Sequence, residues 1–315
     1  MKLYIIGAGA IGKALAVCLS QNGKEVELIR GSVDTGTRHV QTQCINLQSG
    51  ERITAEIPFN YLDNIPHFEG VIVLTTKSFG NRILAEKLKE KALQTPLVIL
   101  QNGLGIEQPF RDCQFRELYR CVLFATSQTL SSDSVSYIPV KPSPIGVVTQ
   151  HSSSLQSIVS ALDTPGFRFK KEEQISSVIW KKAIANCVFN SICPLLEVDN
   201  GIFQRDPQVF AIAQQIIQEC VLIAHKKGIP LSLEEVEDQV LTISKLSDGQ
   251  LISTLQDIRN HRETEIDTLN LEVVRIAEQL NLASEVQQTQ LGKVSSDKIQ
   301  IKPLICTSYS LLLNI

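Results

Sequence analysis

The sequence predicts an α/β fold of Rossmann type: a doubly wound sheet in the amino-terminal half, followed by an all-helical carboxy-terminal domain. Three observations predict it. Leu3–Ile6 is a short apolar strand that runs directly into Gly7-Ala8-Gly9-Ala10-Ile11-Gly12, then into the helical spacing Ala14, Leu15, Val17, Cys18, Leu19, with a second strand at 26–29. Strand, glycine turn, helix and strand in about 30 residues is the order of the dinucleotide-binding βαβ unit. The alternation continues with strands at 71–75 and 97–100 around a helix-like stretch at 81–93, which is the pattern of a parallel sheet. After about residue 170 the apolar period changes, and 178–195, 209–226, 233–246 and 263–282 all carry helical spacing.

The remaining elements follow locally. Residues 44–47 and 53–57 flank Ser49-Gly50 and read as a hairpin added to the basic alternation. Further strands are expected at 118–124, 134–138 and 145–148. Gly228-Ile229-Pro230 stops one helix, and Ser232 is placed to cap the next by accepting an exposed backbone N–H. No element is assigned from Ser284 onward.

A chain of 315 residues fits two domains at about 150 residues each. We expect a nucleotide-binding domain over 1–170 and a helical substrate-binding and catalytic domain over 171–315. With 43% apolar and 20% charged residues the chain can bury a core. Its formal net charge of −3 gives no broad field for nucleic acid or an anionic membrane, so any anion site is local. The eight cysteines form no CxxC pair and the five histidines no HxxxH pair, so reduced thiols and no metal are expected. Lys2 before an apolar stretch imitates a secretory leader, but Lys13 and three glycines weaken it, and no run reaches the about 18 apolar residues of a membrane span. A cytoplasmic protein without membrane or nucleic-acid partners is expected.

Within the fingerprint, Gly7 permits the tight turn, Gly9 lets a phosphate approach the backbone, and Gly12 lets helix and strand pack closely. Ala8, Ala10 and Ile11 complete the turn and the helix start that face a pyrophosphate. Where NAD-binding chains often place an acidic residue at the end of the second strand, this one has Arg30, which suits a 2′-phosphate and favours NADP(H). Its ordinary alternative is a solvated arginine. Glu27, earlier in the strand, is a less natural ribose ligand. Lys77 and Asn102 follow the third and fourth strands, where doubly wound sheets bind ligands; Asn102-Gly103 also has an ordinary role in turns.

In the helical half, Lys182, Asn186 and Asn190 recur every four residues and share one helix face. A polar surface stripe is the plain alternative. Ser253 offers a hydroxyl on a face it shares with Asp257, and Glu265 offers a carboxylate able to orient an ammonium; capping and surface charge are their ordinary roles.

With GAGAIG, TTKS, QNGLG, WKKAIANCVFN, STLQDIR and TEID in this order, residues 1–282 resemble the ketopantoate reductase (2-dehydropantoate 2-reductase) family. The resemblance implies NADPH and a 2-keto acid meeting in a cleft between a Rossmann domain and a helical domain. It implies that Lys182 donates the proton to the developing alkoxide and that Glu265 positions that lysine and the bound ligands. It assigns Asn186, Asn190 and Ser253 to the substrate, and Lys77 and Asn102 to positions near cofactor and substrate. The activity implied is NADPH-dependent reduction of ketopantoate to (R)-pantoate for pantothenate and coenzyme A synthesis. Another branched 2-keto acid as substrate, or a NADP sensor without turnover, are the alternatives. Helical second domains of this family can support a homodimer. The chain departs from the family at Asn270-Leu271, where Asn-Gly is usual, and at 124–128, which lacks the usual glycine.

Overall fold

A computed structural model of the chain describes residues 1–31, 36–149 and 155–282. His151, Cys306 and the stretch from Ser284 left unassigned above lie outside the described residues. The chain divides into two compact units: Met1–Asn102 with Ile106–Ile175, and Gly103–Gly105 with the residues from Ser176 onward.

The first unit is built on one eleven-stranded sheet. Its strands are β1 (Leu3–Ile6), β2 (Val26–Arg30), β3 (His39–Leu47), β4 (Arg52–Tyr61), β5 (Val71–Leu74), β6 (Leu97–Ile99), β7 (Leu118–Cys121), β8 (Ala125–Thr129), β9 (Ser134–Pro139), β10 (Ser143–Val147) and β11 (Phe169–Lys171). The order is β11-β10-β7-β6-β5-β1-β2-β4-β3-β9-β8. The stretch from β7 to β4 is parallel throughout, with Leu3 opposite both Val26 and Val71. Strand order reverses at β1, and ligands of such sheets bind outside the carboxyl ends of the strands at that switch point.

Both faces of β1, β5 and β6 are covered, so these central strands are apolar without alternation. Leu3, Ile5, Val71, Val73 and Val98 pack on one face with α1 (Ala10–Gln21). Tyr4, Ile6, Ile72, Leu74 and Ile99 pack on the other with Leu84, Ala85 and Leu88 of α2 (Asn81–Ala92) and Phe110 of α3 (Gln108–Asp112). On the α1 face, α4 (Leu155–Leu162) adds Ile158, Val159 and Leu162.

The hairpin extends further than its sequence signal. His39 pairs with Phe59 and Asn46 with Arg52, so β3 and β4 run well beyond 44–47 and 53–57. The expected strand over 118–124 is corrected: β7 stops at Cys121 and a separate strand begins at Ala125. The N–H of Phe124 is taken by Ser143 Oγ at 2.9 Å, while Thr129 and Ala125 pair with β9 at the far edge of the sheet.

The second unit is helical: α5 (Ile175–Leu196), α6 (Ile202–Arg205), α7 (Pro207–Lys226), α8 (Leu233–Leu246), α9 (Ser253–Arg259) and α10 (Asn270–Gln279). Asp206 caps α7 by accepting from the N–H groups of Gln208 (2.8 Å) and Val209 (3.3 Å), and Pro207 occupies the first helical turn, where its missing N–H costs nothing. α7 is the one described helix long and apolar enough to cross a membrane by length and composition; Ala213, Ile216, Ile217, Cys220 and Ala224 on it are buried in the helical core. Ser232 Oγ accepts from Glu235 N at 3.3 Å and starts α8.

The expected continuous helix over 263–282 is also corrected. Ile266, Leu269, Val273 and Ile276 keep helical spacing, but the chain forms only a 3-10 turn at Ile266–Thr268, and α10 begins at Asn270. Leu269 breaks the helix with φ −118° and ψ −88°.

Between α5 and α6, Arg205 together with the N–H groups of Gly201 and Gly249 holds the Asp199 carboxyl at about 2. A folded-state pKa below the unfolded one adds stability that is complete above the unfolded value and is lost as pH falls through the folded one. Asp199→Asn should therefore lower Tm near neutral pH, with the gap from the unaltered protein closing between about pH 4 and about pH 2. A gap independent of pH would contradict that role for the carboxylate.

Candidate active site

The glycine turn lies between β1 and α1, and its three glycines answer to different constraints. Gly7 has φ +123°, and a Cβ there would lie 2.7 Å from Thr76 N and Thr75 Oγ1. At Gly12 a Cβ would lie 1.9 Å from the carbonyl oxygen of Gly7, so helix and turn touch backbone to backbone. Gly9 is exposed, adopts an ordinary φ of −80°, and has no atom within 4 Å of a built Cβ. Nothing among the described residues requires glycine there. Gly9 is also the N-cap of α1 and brings no side-chain cap, leaving the first-turn N–H groups to a ligand or solvent. Ala8, Ala10 and Ile11 are half-buried against the α1 face of the core.

Arg30 ends β2, half-buried, with its guanidinium carbon 5.8 Å from the Phe59 ring centroid. Its Nε is buried and has no hydrogen-bond partner among the described residues. An orphaned buried donor on a cation fits an anionic group such as a 2′-phosphate. Lys13 in α1 is also buried and donates to Ser132 O at 2.6 Å; burial and then the Arg30 charge push its ammonium below the usual lysine range. Glu27 is turned inward, 2.7 Å from both Lys2 Nζ and Arg38 Nε and 3.2 Å from Asn60 Nδ2. Burial alone would raise its pKa, but Lys2 and Arg38 bring it below the ordinary carboxylate value.

The loops after β5 and β6 carry Lys77 and Asn102. Lys77 is exposed and precedes the 3-10 turn Ser78–Gly80; Asn102 is half-buried. Thr75 Oγ1 donates to Gly7 O at 2.9 Å, and Gln101 Nε2 donates to Thr76 Oγ1 at 2.9 Å. Three strand ends are thereby tied by side chains. Spacing does not report these ties; the two threonines of TTKS and the glutamine of QNGLG are the signal the sequence offers.

In the helical unit α5 gives the core Ala183, Ile184, Cys187, Val188 and Phe189. Between Trp180 and Pro194 only Lys181, Lys182 and Asn186 escape burial. Lys181 pairs with Glu235. Lys182 and Asn186 are thus half-buried on a stretch of α5 that is otherwise buried from 180 to 194 apart from Lys181, and Asn190, one turn on, is 3% exposed. A helix apolar on nearly all sides with one narrow polar line differs from the wet stripe of a surface helix.

Glu265 is half-buried immediately before the 3-10 turn, and its carbonyl accepts from Thr268 N at 3.2 Å. The segment it begins is moored to α5: Asn270 Nδ2 donates to Ser191 Oγ at 2.8 Å and Cys187 O at 3.2 Å. Arg275 braces the same turn through Asp267 Oδ1 at 2.7 Å. Leu104, of the Gly103–Gly105 piece, donates its N–H to Thr268 O at 2.8 Å. Lys182, Asn186 and Asn190 therefore share a line on α5, and the segment opening with Glu265 is attached to the same helix. Ser253 is the exposed first residue of α9. Asp257, on the same helix, pairs with Arg262 at 3.0 Å.

The chain was compared with known proteins. The family model described as Ketopantoate reductase PanE/ApbA matches residues 3–137, and that described as Ketopantoate reductase PanE/ApbA C terminal matches residues 174–295. The 2-dehydropantoate 2-reductase of Pyrococcus horikoshii is 27% identical over 294 residues, covering 90% of this chain and 92% of that one. Among solved structures, the dimeric ketopantoate reductase of Staphylococcus aureus superposes with a TM-score of 0.77 at 20% identity, over 100% of this chain and 98% of that one. D-mandelate dehydrogenase, solved with NADH and anilino(oxo)acetate, gives 0.76 at 22% identity, over 99% of each chain. The two family matches together take in most of the sequence, one on each side of its change of period, and the chain belongs to the ketopantoate reductase PanE/ApbA family of oxidoreductases.

Proposed function

We propose that the protein reduces 2-dehydropantoate (ketopantoate) to (R)-pantoate with NADPH. The observation that carries this reading is the line on α5: a half-buried lysine followed by two amides at four-residue steps, on a stretch from 180 to 194 that is otherwise buried apart from Lys181. Such a line suits a small ketone flanked by polar groups. The reaction belongs to pantothenate and hence coenzyme A supply, in the cytoplasm. The S. aureus relative's dimeric state supports a homodimer here.

The chemistry follows from the residue types. NADPH, when bound, supplies the hydride that the ketone carbon receives. Lys182 holds a proton at Nζ and gives it to the carbonyl oxygen as negative charge develops there, so no free alkoxide has to form. Partial burial strengthens that ammonium's pull on the oxygen relative to water. Glu265 orients the Lys182 ammonium and the bound ligands. Asn186 and Asn190 offer amide donors and acceptors that fix the keto acid without adding charge, and Ser253 supplies a hydroxyl to the substrate.

Gly7 to Gly12 would cradle the pyrophosphate, with Gly9 giving it room. Lys77 and Asn102 would meet the cofactor from their strand ends, and the family resemblance assigns Asn102 to the substrate as well. Arg30 would meet the 2′-phosphate with its unsatisfied Nε. Arg30→Ala should raise the Kd for NADPH about tenfold or more, the loss of a charge-assisted hydrogen bond, while moving the Kd for NADH by less than about twofold. Equal losses for both cofactors would overturn the Arg30 assignment.

The likeness to D-mandelate dehydrogenase with NADH favours a second reading, in which a different 2-keto acid is reduced, with NADH. Turnover of a panel of 2-keto acids with each cofactor separates the two. The first reading expects the highest kcat/KM for ketopantoate with NADPH; a higher value for an aryl 2-keto acid, or with NADH, would replace it. A sensor without turnover would bind NADPH and leave every keto acid unreduced.

A further inference from the structure

The loops after β5 and β6 are joined by two buried primary amides to which the proposed chemistry gives no part. Asn81, the first residue of α2, is 2% exposed, and Gln101, between β6 and Asn102, is 6% exposed. Each donates to the other's carbonyl oxygen at 2.8 Å. Asn81 Nδ2 also donates to Ile106 O at 2.9 Å, where the loop containing Asn102 ends. Gln101 Nε2 also donates to Thr76 Oγ1 at 2.9 Å and to the backbone oxygen of Lys77 at 3.3 Å.

Two features separate this pair from ordinary core packing. Leucines could fill the same space, and replacing both partners of a buried hydrogen bond by apolar groups is often nearly neutral for stability. What leucines cannot do is fix a direction. Beyond each other, these amides grip groups beside the candidate cofactor contacts: the hydroxyl of the residue before Lys77, the carbonyl of Lys77 itself, and the carbonyl that closes the loop after Asn102. Through Thr75, whose hydroxyl donates to Gly7 O at 2.9 Å, the same string of contacts reaches the glycine turn.

We propose that Asn81 and Gln101 are a positioning pair for the nicotinamide cofactor: by holding the loops after β5 and β6 at a fixed spacing, they set Lys77 and Asn102 where the cofactor meets them. This rests on the cofactor reading given above. Neither amide needs to touch the ligand. The pair lowers the ordering that binding would otherwise demand of two loops, so its loss appears in affinity.

The test uses the full chain and reads the Kd for NADPH by calorimetry, Tm, and kcat at saturating cofactor. Asn81→Leu with Gln101→Leu removes both amides together and leaves neither one buried facing an apolar partner; the Kd should rise about tenfold or more, with kcat falling less than about threefold. Thr76→Val removes one acceptor with almost no change of shape and should weaken NADPH about threefold to tenfold, whereas Thr76→Ser keeps the hydroxyl and should stay within about twofold. If the double variant does not fold, the split between valine and serine at Thr76 decides. A merely structural pair would leave the Kd of every folded variant unchanged, and that result overturns the proposal. If the unaltered protein bound neither NADPH nor NADH, the cofactor reading itself would fall and take the proposal with it; that outcome is visible before any variant is made.

Discussion

Lys182→Ala is expected to lower kcat by about 10²–10⁴-fold, the range by which a positioned proton donor contributes to catalysis. Cofactor affinity should change little, because the proposed pyrophosphate and phosphate contacts come from the β1–α1 turn and from Arg30. Fold stability should also change little. Lys182 is half-buried on a helix whose core contacts come from Ala183, Ile184, Cys187, Val188 and Phe189, so truncating it opens no apolar cavity. NADPH consumption with ketopantoate, NADPH binding, and Tm together distinguish lost chemistry from lost structure. Turnover equal to that of the unaltered protein would end the role assigned to Lys182. Lys181 provides the control: it pairs with Glu235, and Lys181→Ala should leave kcat within about twofold, since an exposed ion pair contributes little.

The second large effect is a contrast between two glycines. Gly9→Ala should preserve Tm, because its backbone suits any residue and no atom of the described residues lies within 4 Å of the added carbon. Yet it should weaken NADPH by about tenfold or more, since a close backbone approach to the pyrophosphate is what glycine permits at this position. Gly12→Ala should instead destabilise the protein, with or without cofactor. Its Cβ would stand 1.9 Å from Gly7 O and 2.7 Å from Thr75 Oγ1, and the cost of forcing such an overlap is about 1–3 kcal/mol or more. Tm and the Kd for NADPH, measured on both variants, check this. If Gly9→Ala bound NADPH as tightly as the unaltered protein, the turn would not be a phosphate cradle.

The parts of the fold that were legible in the sequence share a cause. β1, β2, β5 and β6 are short, buried on both faces and separated by a glycine turn or a helix, so local composition and tertiary role agree. The break between β7 and β8 was hidden because residues 118–124 are apolar apart from Arg120, while the bonds that accompany the break, from Val122 N to Pro144 O at 3.0 Å and from Phe124 N to Ser143 Oγ at 2.9 Å, reach a segment distant in sequence. The break before α10 was hidden for a similar reason: Ile266, Leu269, Val273 and Ile276 keep the helical period across a turn that is not helical. Leu269 and Asn270 change the path there, and the mooring of Asn270 to α5 is a long-range contact that spacing does not report.

The candidate site divides the same way. Four-residue spacing aligned Lys182, Asn186 and Asn190, and Ile184, Val188 and Phe189 around them pointed to packing, but the sequence left a polar surface stripe open where the structure buries all of 183–194 except Asn186. Gly9 and Gly12 look equivalent in a fingerprint; only the surrounding atoms tell the glycine the fold needs from the one it does not. Glu27 and Arg30 stand three residues apart on β2, and the structure turns one into a buried ion cluster while leaving the other with an unsatisfied donor. Gln101 stands in the QNGLG motif and Asn81 at a helix start, but nothing in either pattern reports their pairing, because their value lies in partners about 20–25 residues away.

The most direct measurement is isotopic. Ketopantoate is incubated with the protein and NADPH carrying deuterium at the transferable position of the nicotinamide, and the product is analysed by mass spectrometry and NMR. Hydride transfer to the ketone, with the proton delivered by Lys182, predicts pantoate bearing one deuterium at C2 and an exchangeable proton on the new hydroxyl, formed fast by the unaltered protein and slowly by Lys182→Ala. Unreduced ketopantoate beside tightly bound NADPH, or deuterated pantoate formed equally fast without Lys182, would contradict it.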